Sequence, residues 1–321
     1  MKRIFVFAAA VLALFLLCSC GEKEKEKENG FPNVVCTVFP QYDFTRNIAR
    51  GADINIKMLL PAGSEAHSYE PSPSDIKAIN DCDLFIWVGG ESEAWAKKLI
   101  SSSELGGEKV LSLMEVTGLL HEEEGLAGKK SGHHDHDGDH IHGGDEYDEH
   151  VWTSPKNAIK IAKAICEKLC AVSPENSEVF RENTENYTEE LRGLDAGFER
   201  VSENSNGKEL VIGDRFPFLY LAHEYGFSYI SAFSGCAEQT EASLAVISEL
   251  IETVKRDEIP IVFAVDFSSG KLAKTIASES GAEVLRLYSC HTVSVDDMKK
   301  GEDYISLMTK NLQNIEKAVL N

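Results

Sequence analysis

Residues 175–201 read ENSEVFRENTENYTEELRGLDAGFERV. The run follows Pro174, contains no proline and reaches no glycine before Gly193, so nothing interrupts a helix that proline is well suited to open. Some twenty-seven residues at ~1.5 Å each reach ~40 Å. A helix lying on a surface has no need of that length, whereas one crossing a protein of two parts does. Directly upstream, Ser154–Val172 is amphipathic, with Ile159, Ala162, Ile165 and Leu169 on one face. On both sides of this helical centre, short apolar runs alternate with helical ones. Before it, Val34–Phe39 is β-rich and stops at Pro40, and Tyr42–Ala49 follows as a helix with Phe44 and Ile48 inward. Ile54, Ile56 and Met58 alternate with polar residues as in a strand; Leu84–Val88, broken by Gly89-Gly90, and Val110–Leu113 read as further strands. After it come a strand at Leu210–Ile212, a turn at Gly213–Phe218, a strand at Ile261–Val265, a helix at Gly270–Ser280 and a last strand at Glu283–Leu287. Strands alternating with helices imply parallel sheets. A chain of 321 residues that is 43% hydrophobic suffices for two domains.

The N-terminus carries an address. Lys2 and Arg3 precede a short apolar run, Ile4–Leu17, too short to span a bilayer comfortably. Leu17-Cys18-Ser19-Cys20-Gly21 resembles the bacterial lipobox, with Cys20 as the acylated residue. A lipid there would tether the mature protein to a membrane surface without crossing it. Glu22–Glu28 alternates Glu and Lys and offers nothing to a core, so residues 21–31 read as a charged tether. The net charge of −21 argues against nucleic acid as a partner. Six cysteines follow the signal: Cys36, Cys82, Cys166, Cys170, Cys236 and Cys290. They form no CxxC, so no thiolate zinc site is indicated. Cys166 and Cys170 share one helix face and read as buried free thiols.

Residues 133–150, HHDHDGDHIHGGDEYDEH, hold six histidines and seven carboxylates. No apolar face exists at either period, so the run cannot bury itself. Imidazole and carboxylate are ligands for zinc and similar divalent ions. His133, His134, His136, His140 and His142 therefore read as a metal-gathering tract within a loop spanning 121–149. His150 stands where that loop meets the ordered helix after it, a place to hold a metal.

One more loop bears on metal. Residues 61–75, PAGSEAHSYEPSPSD, follow the carboxyl end of a strand, where ligand sites collect in α/β sheets, and His67 is the one histidine before residue 121. This stretch resembles the signature of the metal-binding receptors of bacterial ABC importers, the zinc/manganese cluster. DCDLFIWVGG at 81–90, DEHVWTSP at 148–155 and SGKLAKTIASESGAEVL at 269–285 match the same family in order. The resemblance covers residues 32–320. It implies an α/β fold of two lobes, each a mostly parallel sheet flanked by helices, joined by one long rigid linker helix. The corresponding boundaries are an N-terminal lobe at 32–173, the linker at 174–206 and a C-terminal lobe at 207–321. It implies metal bound between the lobes, with His67 and His150 as ligands. The family's third ligand falls in the turn after Leu210–Ile212, where Asp214 is the only residue able to ligate. Tyr225-Gly226 matches the element after that turn. A liganding Asp that many relatives carry after the last strand is absent, and His291 is the natural substitute. Glu241 reads as a helix-start charge rather than a ligand, and His223 as structural or exposed.

The expected function is a lipid-anchored, extracytoplasmic, monomeric receptor that captures Zn²⁺ and passes it to an ABC permease. Imidazole donors favour zinc, while the carboxylate keeps manganese or iron open. A zinc hydrolase is disfavoured, since the chain has no HExxH, GxSxG or P-loop. A surface adhesin or metal buffer is the other alternative, with the loop as its whole metal chemistry.

Overall fold

The computed structural model describes residues 30–66, 68–103, 105–123, 126, 147–235 and 241–320. Pro32–Asn321 fold as one unit. The signal, residues 21–29 of the tether, His67, Cys236 and the histidines at 133–142 lie outside the described residues.

Two four-stranded parallel sheets form the two lobes. The first runs in the order β2 (Asn55–Met58), β1 (Asn33–Cys36), β3 (Leu84–Trp87), β4 (Val110–Ser112). The second runs β6 (Tyr229–Ser234), β5 (Leu210–Phe216), β7 (Ile261–Val265), β8 (Glu283–Leu287). In each, the chain starts on an inner strand and reverses direction across the sheet beside it, which opens a crevice at the carboxyl ends of the strands. Helices cover the sheets: α1 (Phe39–Ile48), α2 (Pro73–Asn80), α3 (Ala94–Ser102), α4 (Leu113–Val116) and α5 (Pro155–Val172) before the longest, α6 (Ser177–Glu203), then α7 (Leu219–Tyr225), α8 (Leu244–Arg256), α9 (Lys271–Ser280), α10 (Val295–Lys300) and α11 (Tyr304–Leu320).

Three local expectations are corrected. The first strand stops at Cys36 rather than Phe39; Phe39 and Pro40 form the first turn of α1, where proline gives up no hydrogen bond. The turn expected at Gly213–Phe218 is instead mostly strand, because β5 continues to Phe216 through an irregularity between Ile212 and Arg215. Gly213 is needed there by packing: a Cβ on it would lie 2.6 Å from the Ala273 Cα of α9. The edge strand β6 was not expected at all.

Helix α6 joins the lobes and has 27 residues. Phe180, Thr184, Tyr187, Leu191, Leu194, Phe198 and Val201 are buried along one face, the spacing of three and four that an apolar helical stripe requires. Its first half meets the N-terminal lobe. Asn183 donates to the carbonyls of Ile48 at 2.9 Å and Arg50 at 2.8 Å, and Tyr187 lies 5.8 Å from Phe44. Its second half meets the C-terminal lobe, with Phe198 stacked 5.4 Å from Tyr225 and the Ser202 hydroxyl donating to the Tyr225 carbonyl. A single apolar cluster runs through Phe44, Trp152, Phe180, Phe198, Phe218 and Tyr304, so the lobes share a core, and each adds a smaller cluster of its own, around Phe85 in the first and Val262 in the second. Among the described residues no helix is long and apolar enough to cross a membrane. Cys36, Cys82, Cys166 and Cys290 are buried free thiols, and Cys170 is free and half-buried.

Helix α11 carries the chain back to the N-terminal lobe. Its first N–H, on Tyr304, donates to Asp43 of α1 at 3.1 Å. Asp43 is fully buried, with Arg46 at 2.6 Å. Burial pushes its carboxyl up to about 6, against the pull of Arg46 and the Tyr304 N–H. The folded protein thus holds this proton more tightly than an unfolded chain, whose Asp titrates near about 4. The stabilisation is complete below about pH 4 and is lost as pH rises through about 6. The loss is at most about 3 kcal/mol. In urea unfolding with chelator present, Asp43→Asn should remove this slope, so that the wild type's advantage over the variant shrinks between pH 4.5 and pH 7. An unchanged difference across that range would refute the assignment.

Candidate metal site

After the histidine-rich stretch the described chain resumes at Tyr147. Asp148, Glu149 and His150 are each less than 5% exposed, and the next three residues make a 3-10 turn, Val151–Thr153. Thr153 ties this turn back, its hydroxyl donating to the His150 carbonyl at 2.8 Å. Ser154 then caps α5 by accepting the Asn157 N–H. His150 is held by one carboxylate. Asp148 Oδ1 accepts its backbone N–H at 2.8 Å and lies 3.2 Å from its Nδ1. A carboxylate only accepts, so Nδ1 carries the hydrogen and Nε2 becomes the ring's electron-pair donor. This is the arrangement that aims a histidine at a metal.

His291 comes from the other lobe, in the segment after β8. Asn311 of α11 brackets Tyr288, accepting its N–H and donating to its carbonyl, both at 2.7 Å. Asp266, at the end of β7, accepts the Ser289 N–H at 2.9 Å. Burial pushes the Asp266 carboxyl up to about 7 even though Ser289 donates to it and Arg286 lies near. Cys290 takes φ +57°, turning the chain so that His291 faces back. The His291 carbonyl accepts the Phe39 N–H of α1 at 3.3 Å.

The two imidazoles meet. Their ring centres are 5.3 Å apart with planes at 88°. An ion with ~2.1 Å bonds to one nitrogen of each ring would sit ~3.2 Å from each centre, and the two directions would then open ~110°, close to tetrahedral. Trp152 fills the space beside both, 5.5 Å from His150 and 5.0 Å from His291, and its indole N–H donates to the Ser289 carbonyl at 2.8 Å. Both histidines open on a cavity of about 700 Å³ that Glu65, Asp214, Glu241 and Asp266 also line.

The other expected positions fare differently. Asp214 lines the cavity, but its carboxylate accepts the N–H of Arg215 at 2.9 Å and of Val265 at 3.4 Å. No group of three or more His, Cys, Asp or Glu side chains placed to hold one ion occurs among the described residues. His67 is outside them, while Ala66 beside it lines the cavity. Glu241 and His223 are exposed. Asp148 and Trp152 are site residues that the reading of the sequence did not single out. The Asp-x-His spacing was the available signal for the first; nothing local marks the second.

A protein-family model described as the periplasmic component A of a zinc-uptake complex, ZnuA, matches residues 34–318. The chain belongs to this family. Among curated ZnuA-type relatives it is 34% identical over 292 residues to the zinc-binding lipoprotein AdcA of Streptococcus pneumoniae, an alignment covering 90% of this chain and 56% of AdcA. The chain thus spans about half the length of the AdcA proteins that it matches. It is 30% identical over 294 residues to the high-affinity zinc uptake system protein ZnuA of Bacillus subtilis, covering 90% and 88% of the two chains. Among solved structures, the Zn(II)-bound ZnuA-like domain of Streptococcus pneumoniae AdcA superposes with a TM-score of 0.73 at 31% identity, over 91% of this chain and 100% of that one.

Proposed function

We propose that this chain is an extracytoplasmic zinc receptor that captures Zn²⁺ between its lobes and hands it to an ABC permease. The observation that carries the reading is the convergence of His150 and His291 from opposite lobes, 5.3 Å apart on one cavity wall. Membership of the ZnuA family supports it, as do relatives named zinc-binding. His67 is the third imidazole of the proposed site, and Asp214 the carboxylate candidate. Imidazole donors favour zinc over manganese. Cys20 is the proposed lipid attachment point, a reading supported by a relative named as a lipoprotein. The histidines at 133, 134, 136, 140 and 142 form a gathering tract that feeds the site through His150. The site holds and releases an ion rather than performing chemistry on a substrate.

The test is a competition titration of the purified protein with Zn²⁺ against Mn²⁺, with and without residues 127–146. That deletion keeps the base of the loop, where His121 pairs with Tyr147. One tight zinc site should survive the deletion, and it should weaken as pH falls through the imidazole range, since a protonated ring cannot ligate. Asp214→Ala should weaken it further if that carboxylate is a ligand. Preference for manganese would keep the receptor and change its cargo. Loss of all metal on deletion would leave a buffer in which the loop is the whole chemistry.

A further inference from the structure

The base of the histidine-rich loop belongs by sequence to the first lobe, yet it is bolted into the second. Its two stalks, Leu120–Glu123 and Tyr147–His150, pair with each other: the Asp148 N–H donates to the Leu120 carbonyl at 3.0 Å, and the rings of His121 and Tyr147 stack at 4.5 Å. One phenol from α7 reaches both stalks. Tyr220 is buried; its oxygen accepts the Leu120 N–H at 3.1 Å and its hydroxyl donates to the Asp148 carbonyl at 2.8 Å. Further out, Tyr229 donates to Glu123 at 2.6 Å. Leu126 donates its N–H to the Ser231 carbonyl of β6 at 2.9 Å and sits among Val211, Phe233 and Leu250 of the second lobe's core. Asp148 is also walled in by Gly235 of that lobe, where a Cβ would come within 2.8 Å of its Oδ2.

We infer that Tyr220 is a positioning residue for the metal, holding His150 from the opposite lobe. The path is short: phenol to Asp148 backbone, Asp148 carboxylate to His150 Nδ1. The inference rests on the reading of His150 as a zinc ligand and adds to it a second-lobe group that sets the aim of a first-lobe histidine. Moving the second lobe away would release Asp148 and let the imidazole swing, so ligand geometry and lobe contact are coupled at this one residue. Outer partners of this kind tune metal affinity because they fix the ring's tautomer and direction.

The experiment compares Tyr220→Phe with Tyr229→Phe in the purified protein. Both remove one oxygen from the same clamp, but only the first touches Asp148. Tyr220→Phe should lower Zn²⁺ affinity by at least about tenfold and shift the d–d bands of the Co²⁺-loaded protein. In metal-free protein it should abolish the slowly exchanging Nδ1–H proton resonance of His150. Tyr229→Phe should leave all three as in the wild type. Wild-type behaviour of Tyr220→Phe in all three, or equal losses in Tyr229→Phe, would overturn the inference. A wild type that binds no zinc, with the Nδ1–H resonance lost only in Tyr220→Phe, would uphold the positioning role and sink the receptor reading instead.

Discussion

His150→Ala is expected to lower Zn²⁺ affinity by more than about 100-fold, the upper end of what loss of an outer-shell partner costs. The expectation follows from how much of the local structure serves this one ring. Its backbone N–H and its Nδ1 share Asp148 Oδ1, its carbonyl anchors the Thr153 hydroxyl, and the ring meets His291 across the lobes. Asp148→Asn is the graded comparison. It keeps shape but offers an amide where a carboxylate stood, and should cost roughly 10- to 100-fold. Competition against a chromophoric chelator measures both, with circular dichroism as the check on folding. Affinity unchanged in His150→Ala would remove this residue from the site. If Asp148→Asn proved the more damaging of the two, the carboxylate itself would be the ligand and the histidine its support.

The largest loss of stability should come from Trp152→Ala, at about 3–5 kcal/mol. Trp152 is wholly buried. It lies against both imidazoles, donates to the Ser289 carbonyl and accepts the Tyr304 hydroxyl on its own carbonyl at 2.5 Å. Truncation leaves a cavity where the two lobes meet, with little chance of collapse since the backbone on each side is tied. Trp152→Phe separates packing from hydrogen bonding. It keeps an aromatic ring and loses the indole N–H, so it should cost about 1–3 kcal/mol, the penalty for leaving a buried carbonyl unpaired. Urea unfolding of the metal-free protein measures both. Equal costs for the two variants would mean that the hydrogen bond to Ser289, and not the filled volume, holds this junction.

What the sequence discloses divides by the range of the forces involved. Leu84–Val88 and Ile261–Val265 announce themselves because strands buried on both faces are unbroken apolar runs, and both are inner strands here. The long helix is legible because nothing in 175–201 breaks it. β6 is not, because Tyr229-Ile230-Ser231-Ala232-Phe233-Ser234 is an edge strand and mixes hydroxyls with its apolar residues. Gly213-Asp214 resembles a turn by composition, but the glycine answers to the backbone of α9, sixty residues on. His150 was marked by its place at the end of a histidine-rich run, and His291 only by the absence of the usual acid. Tyr220 and Asp148 are 72 residues apart, and no local pattern could have paired them.

The core shared by both sheets and the long helix has a consequence for the life of the protein. A protease needs an opened chain, and neither lobe can open fully without exposing its part of the cluster that both share. A ligand that binds only the folded state adds about 4 kcal/mol to that opening at a thousand times its Kd. If the proposed site holds an ion, its occupancy would raise the survival of the entire chain, and a loaded molecule would outlast an empty one.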